Sequence, residues 1–137
     1  MATTTPIAAN GACSPTGSRR IVEQFVRGYS SRGGSADVLV ANDERFRWFS
    51  APDRIQAAAG NRTTLGTYLG ARARAGIRDA IVVFHYNGTS SSASPPYGNF
   101  DFVLQRSIGA TGTSVIGKGA LACSDGKIIV WSEGRPS

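Results

Sequence analysis

The sequence predicts one α+β domain, with helices packed on one face of a curved, mostly antiparallel sheet. Three observations carry that expectation. Ile21, Val22, Phe25, Val26 and Tyr29 form an apolar stripe at helical spacing early in the chain. From Ile77 onward the apolar period becomes two, through Phe84 and Tyr86, then Phe100, Phe102 and Leu104, then Ile129 and Trp131. Turn-forming runs separate these segments, Gly109 to Gly112 and Ser124-Asp125-Gly126. Helices first and hairpins afterwards segregate the two kinds of element, which is the α+β pattern.

Each element has its own signal. Ser14 can cap a helix and Pro15 suits its first position, with Ser18 as a competing cap; Gly33-Gly34 ends it. Ser35 can cap a short second helix carrying Val38 and Leu39. Residues 45–50, RFRWFS, read as a strand with Phe46 and Trp48 on one face and Arg45 and Arg47 on the other. Ala51 to Gly60 reads as a loop opened by Pro52, with a helical turn in its alanines as an option. Asn61 or Thr63 caps a third helix running to Ala75, with Leu65, Tyr68, Leu69 and Arg72 on its inner side and Gly76 as its stop. Four strands follow: Ile81 to Asn87, Tyr97 to Ser107, Thr113 to Cys123 and Lys127 to Glu133. The first two are joined by a Ser- and Pro-rich loop. Gly117 and Gly119 interrupt the third strand and signal a bulge or a close backbone approach.

Length and composition bound the rest. The 137 residues fit one domain, long enough to bury a core without a metal or a dense disulfide framework. No apolar run approaches the ~20 residues of a membrane-spanning helix. Two Cys and one His cannot build a four-ligand zinc cage, and any Ser-His-Asp triad would have to use His85. No metal and no cofactor is expected. The net charge is +6, and thirteen of the fifteen cationic residues are Arg, scattered along the chain. Nucleic-acid binders concentrate such charge on one face, so a solvated basic surface is expected instead of a nucleic-acid partner.

Residues 1–13 are small and polar, without the basic and apolar regions of a signal peptide. They read as a disordered leader, or as the start of a mature or engineered chain after signal removal, followed by one domain over 14–135. In the cytosol Cys13 and Cys123 would be plain thiols. Paired, they would pin the N-terminus to a late strand and imply an oxidising compartment. The chain-entropy relation then gives about 4–5 kcal/mol for so long a loop. The expected location is therefore secreted or periplasmic after removal of a signal peptide, or cytoplasmic if the thiols are free.

The motifs IVEQFVRGYSSRGG, DVLV, FRWFS, TTLGTYLGARARAG and DGKIIVWSEG, in that order, resemble the nuclear-transport-factor-two-like superfamily over about residues 15–135. The superfamily includes ketosteroid isomerases and polyketide cyclases. The resemblance is closest to small bacterial secreted members with a terminal Val-Trp-Ser strand. It implies a cone-shaped fold, with about three N-terminal helices and a curved sheet enclosing an apolar pocket, and it implies frequent dimers. The isomerase catalytic positions fall near Phe25, Phe49 and Gly119, and none carries the required side chain. The Arg-x-Asp strand pair of limonene-epoxide-hydrolase relatives has no match either. The fold carries over and the known catalytic sets do not.

Alternation then nominates the pocket. Phe46, Trp48, Phe84, Tyr86, Phe100, Phe102 and Trp131 should face the helices, with Ser50 at a strand end. Tyr68 and Arg72, one helical turn apart, could hydrogen-bond a ligand carbonyl or carboxylate, or be packing residues. Glu133 shares a face with Ile129 and Trp131, so it is either a pocket acid/base or an exposed residue at a fraying end. His85 and Asp101 alternate with inward aromatics and should face outward. A one-residue slip in register would turn both inward as an acid–base pair. The expected function is binding of a small hydrophobic or aromatic molecule. The alternatives are an isomerase, cyclase or hydrolase using Glu133 or His85–Asp101 with Tyr68, and a dimeric interaction module built on the exposed sheet face.

Overall fold

Ser14 opens the first helix as its sequence suggests: its hydroxyl accepts the Gly17 N–H at 3.0 Å, and its carbonyl accepts that of Ser18. The helix, α1, spans Pro15–Ser30 and buries Ile21, Val22, Phe25, Val26 and Tyr29. The structure, a computed structural model, describes residues 11–30, 39–42, 44–50, 58–90, 92 and 95–134. The short helix expected from Ser35, most of the 51–60 loop and residues 1–10 of the expected leader lie outside the described residues. The last part of that leader packs on the domain. Ala12 is fully buried, and Cys13 is disulfide-bonded to Cys123.

Among the described residues six strands form one mixed sheet: β1 (Arg47–Ser50), β2 (Ala58–Gly60), β3 (Ile77–Ser90), β4 (Tyr97–Ile108), β5 (Thr111–Ala122) and β6 (Ile128–Gly134). Their spatial order is β2-β1-β6-β5-β4-β3. Only the β1–β6 pair is parallel among these neighbours. The second described helix, α2 (Arg62–Arg74), sits between β2 and β3 in the chain. Asn61 is its cap: the Asn61 side chain accepts the Thr64 N–H at 3.2 Å, and Thr64 Oγ1 accepts the Asn61 N–H at 2.9 Å. Trp48 Nε1 donates to the same Thr64 hydroxyl at 3.1 Å, tying β1 to the start of α2.

Several boundaries differ from the expectation for physical reasons. Ala58–Gly60, expected in a loop, is an edge strand paired with Trp48–Ser50. Small residues suit that position, because a side chain at Gly60 would collide with Thr64. β3 begins at Ile77, four residues early, because the Ile77–Ile81 backbone pairs fully with Leu104–Ile108. Gly117 and Gly119 are sites of close approach with no bulge, since the β4–β5 register runs through them unbroken. A Cβ at 117 would strike the Phe102 ring and the Ser132 carbonyl, and one at 119 the Phe100 ring and the Val130 carbonyl.

Candidate functional site

Between the helices and the sheet lies a set of buried charges. Asp79 of β3, Arg106 of β4, Glu133 of β6 and Arg72 of α2 meet there. Their side chains are 0%, 8%, 2% and 11% exposed. Arg106 grips Asp79 with two hydrogen bonds, Nε to Oδ1 at 2.8 Å and Nη2 to Oδ2 at 2.7 Å. The same Nη2 donates to Glu133 Oε1 at 2.8 Å. Tyr29 of α1 donates its hydroxyl to Asp79 Oδ2 at 2.6 Å, and Arg72 Nη2 donates to that oxygen at 3.1 Å. Trp131 Nε1 donates to Glu133 Oε2 at 2.8 Å. Ser30 adds a backbone lock, its Oγ accepting the Asp79 N–H at 3.0 Å.

The electrostatics follow from these contacts. Burial pushes the Asp79 carboxyl up, but the hydrogen bonds and charge of Arg106, the Tyr29 hydroxyl and the charge of Arg72 outweigh it and hold it below the usual value. Such a carboxylate is a weak base. Burial, then the charges of Glu133 and Asp79, pushes the Tyr29 phenol well above its ordinary value, so Tyr29 stays a donor. Burial draws Arg106 down, but Asp79 and Glu133 more than compensate and fix its positive charge.

Arg72 is the member that is not saturated. Its Nη1 is buried, lies 3.8 Å from Glu133 Oε1, and has no hydrogen-bond partner among the described residues. Its guanidinium carbon lies 5.2 Å from the Tyr68 ring centre and 6.0 Å from that of Tyr29. Tyr68 is half-buried and packs on Trp48, with ring centres 4.7 Å apart.

The expected lining residues divide into two groups. Phe46, Trp48, Phe100, Phe102 and Trp131 all face inward and are almost fully buried. Trp131 stacks on Phe102 at 4.5 Å and meets Phe25 edge-on at 4.7 Å, so much of this wall is packed core. Phe84 and Tyr86 are half-buried, with Phe84 stacked on Phe100. The side chain of Ser50 lies outside the description. Glu133 turns inward and joins the cluster, in place of a fraying exposed end. His85 and Asp101 are cross-strand partners on the outer face, with His85 exposed. Asn87 bridges them, its Oδ1 2.5 Å from His85 Nδ1 and its Nδ2 donating to Asp101 at 3.0 Å. The slipped register that would bring the pair inward does not occur.

Asp79 and Arg106 were not expected at the site. Arg106 continues the Phe100, Phe102, Leu104 alternation by one step, and that was the available signal. Asp79, Arg106 and Glu133 form a carboxylate–guanidinium–carboxylate chain drawn from three strands. Among the described residues no group of three or more His, Cys, Asp or Glu could hold a metal ion, and no helix is long and apolar enough to cross a membrane.

Neither the protein families nor the curated proteins compared with the sequence match it. Solved structures do. A nuclear-transport-factor-two-like protein of unknown function from Cytophaga hutchinsonii superposes with a TM-score of 0.59 at 8% identity, over 84% of this chain and 86% of that one. An LEH-like epoxide hydrolase from M. tuberculosis gives 0.55 at 16% identity, over 88% and 83%. The canthaxanthin-binding Orange Carotenoid Protein of Anabaena (Nostoc) gives 0.63 at 12% identity, over 82% of this chain but only 35% of that protein. At these identities the likeness is one of fold.

Proposed function

Because the chain has the nuclear-transport-factor-two-like fold, we propose that it is a binding domain for a small hydrophobic or aromatic molecule, seated where α2 faces the sheet. Tyr68, Arg72 and Trp48 form the contact surface. The carrying observation is the buried four-charge cluster, with Arg72 Nη1 left without a hydrogen-bond acceptor among the described residues. Burying two ion pairs adds little stability over an apolar core of the same volume, so a cluster of this kind points to a use other than packing. Fold neighbours that are an epoxide hydrolase and a carotenoid-binding protein support a ligand site in this architecture. The test is a thermal-shift and tryptophan-fluorescence screen with apolar compounds, together with native mass spectrometry of the purified protein. Binding should shift the melting temperature and perturb Trp48. No shift with any compound and no co-purified molecule would remove the proposal.

A second reading, an isomerase, cyclase or hydrolase, is favoured by the presence of Glu133 inside the cluster. Glu133→Gln separates the two: a binding domain keeps its ligand, and an enzyme loses turnover. The reading also includes a secreted or periplasmic location, supported by the Cys13–Cys123 disulfide. A homodimer through the outer sheet face is part of it too. There Val83, Val103 and Ile116 stand side by side across three strands, and Val83 and Ile116 are 53% and 40% exposed.

A further inference from the structure

We infer that the ligand presents an uncharged acceptor oxygen, a carbonyl or ether, to Arg72 Nη1, and that Arg72 sets this specificity. The inference rests on the binding reading above and names its ligand class.

The need for an acceptor comes from the hydrogen bonds. Nη1 carries two N–H donors, is buried, and makes no hydrogen bond among the described residues, while Nη2 is engaged by Asp79. A buried polar group left in that state costs about 1–3 kcal/mol, which a ligand oxygen would recover. The Tyr68 and Tyr29 rings beside the guanidinium keep its plane in an apolar setting. An oxygen arriving on a hydrophobic skeleton suits that surface.

The charge of the acceptor follows from the cluster itself. Among the described residues, Arg72 and Arg106 balance Asp79 and Glu133. Glu133 Oε1 lies 3.8 Å from the same Nη1. A ligand carboxylate there would place a third negative charge in a buried site beside Glu133, and like charges so close in a poorly solvated site repel strongly. A ketone, aldehyde or cyclic ether satisfies Nη1 without that penalty.

The experiment uses matched probes on two skeletons. One set is 2-acetonaphthone, 2-isopropylnaphthalene and 2-naphthoate. The other is cyclohexyl methyl ketone, isopropylcyclohexane and cyclohexanecarboxylate. Affinities are measured by calorimetry on the intact protein. The ketone of at least one set should bind about tenfold or more tighter than its hydrocarbon and its carboxylate, as a hydrogen bond from a charged donor allows. Arg72→Met should erase the ketone preference. Should that variant fail to fold, Arg72→Lys keeps the charge but supplies a single nitrogen, and the preference should fall likewise. Equal binding of ketone and hydrocarbon overturns the inference and leaves the binding reading standing, because water then serves Nη1 as well as a ligand does. Tightest binding of a carboxylate overturns it too. Silence from all six probes overturns the inference, and the binding reading then stands or falls with the compound screen and native mass spectrometry.

Discussion

Arg106 holds Asp79 in a two-pronged grip, Nε to Oδ1 at 2.8 Å and Nη2 to Oδ2 at 2.7 Å, between neighbouring strands and out of water. The two residues are direct cross-strand partners. Tyr29, Ser30, Arg72 and Glu133 each attach to one of them, and Trp131 joins through Glu133.

Asp79→Asn should therefore be among the most damaging single changes in the domain. It leaves Arg106 with one carboxylate and turns one of two acceptor oxygens into a donor, so Arg106, Arg72 and Tyr29 must share the single amide oxygen that remains. Removing one partner of a buried pair costs about 3–5 kcal/mol. Urea unfolding followed by tryptophan fluorescence measures it, and a loss below about 1 kcal/mol would show that the cluster contributes no structural hold.

Stability should fall at both ends of the pH range. Asp79 is held below its ordinary value, so its contribution is complete above the unfolded carboxylate value of about 4 and is lost as pH drops through the lower folded one. Tyr29 is held above its ordinary value, so its contribution is complete below about pH 10 and is lost as pH climbs beyond. Urea midpoints against pH should show both limbs. Tyr29→Phe should shallow the alkaline one, and an unchanged alkaline slope would argue against the Tyr29 assignment.

Cys13→Ser should lower stability by about 4–5 kcal/mol on the chain-entropy relation, because the disulfide closes a loop with a sequence separation of 110. Paired melts with and without reductant should reproduce the loss in the native chain and show none in the variant. Two free thiols in the unreduced protein would remove the disulfide itself.

The legibility of the site in the sequence was uneven, and the reasons are local. The inward face of β4 and β6 could be read, because Phe100, Phe102 and Leu104 keep a strict period of two and Glu133 follows Trp131 by one further step. Asp79 could not, because Arg78 and Ala80 beside it give no apolar alternation, so the strand was expected to start at Ile81. Arg106 obeys the β4 period, but a lone guanidinium is a poor core residue until its partners are known. Those partners lie 27 positions away on each side, joined only by the register of the sheet. Tyr29 was expected as core and is core, but its hydroxyl has a purpose that periodicity cannot express.

The disulfide has a consequence beyond stability. It joins Cys13, two residues before α1, to Cys123, the residue after β5, so the backbone between them is a covalent ring that contains both described helices and every described strand but β6. A single cut anywhere in that ring leaves one molecule. The two pieces remain tethered, with α1 attached to the sheet it covers, and they separate only when the bond is reduced.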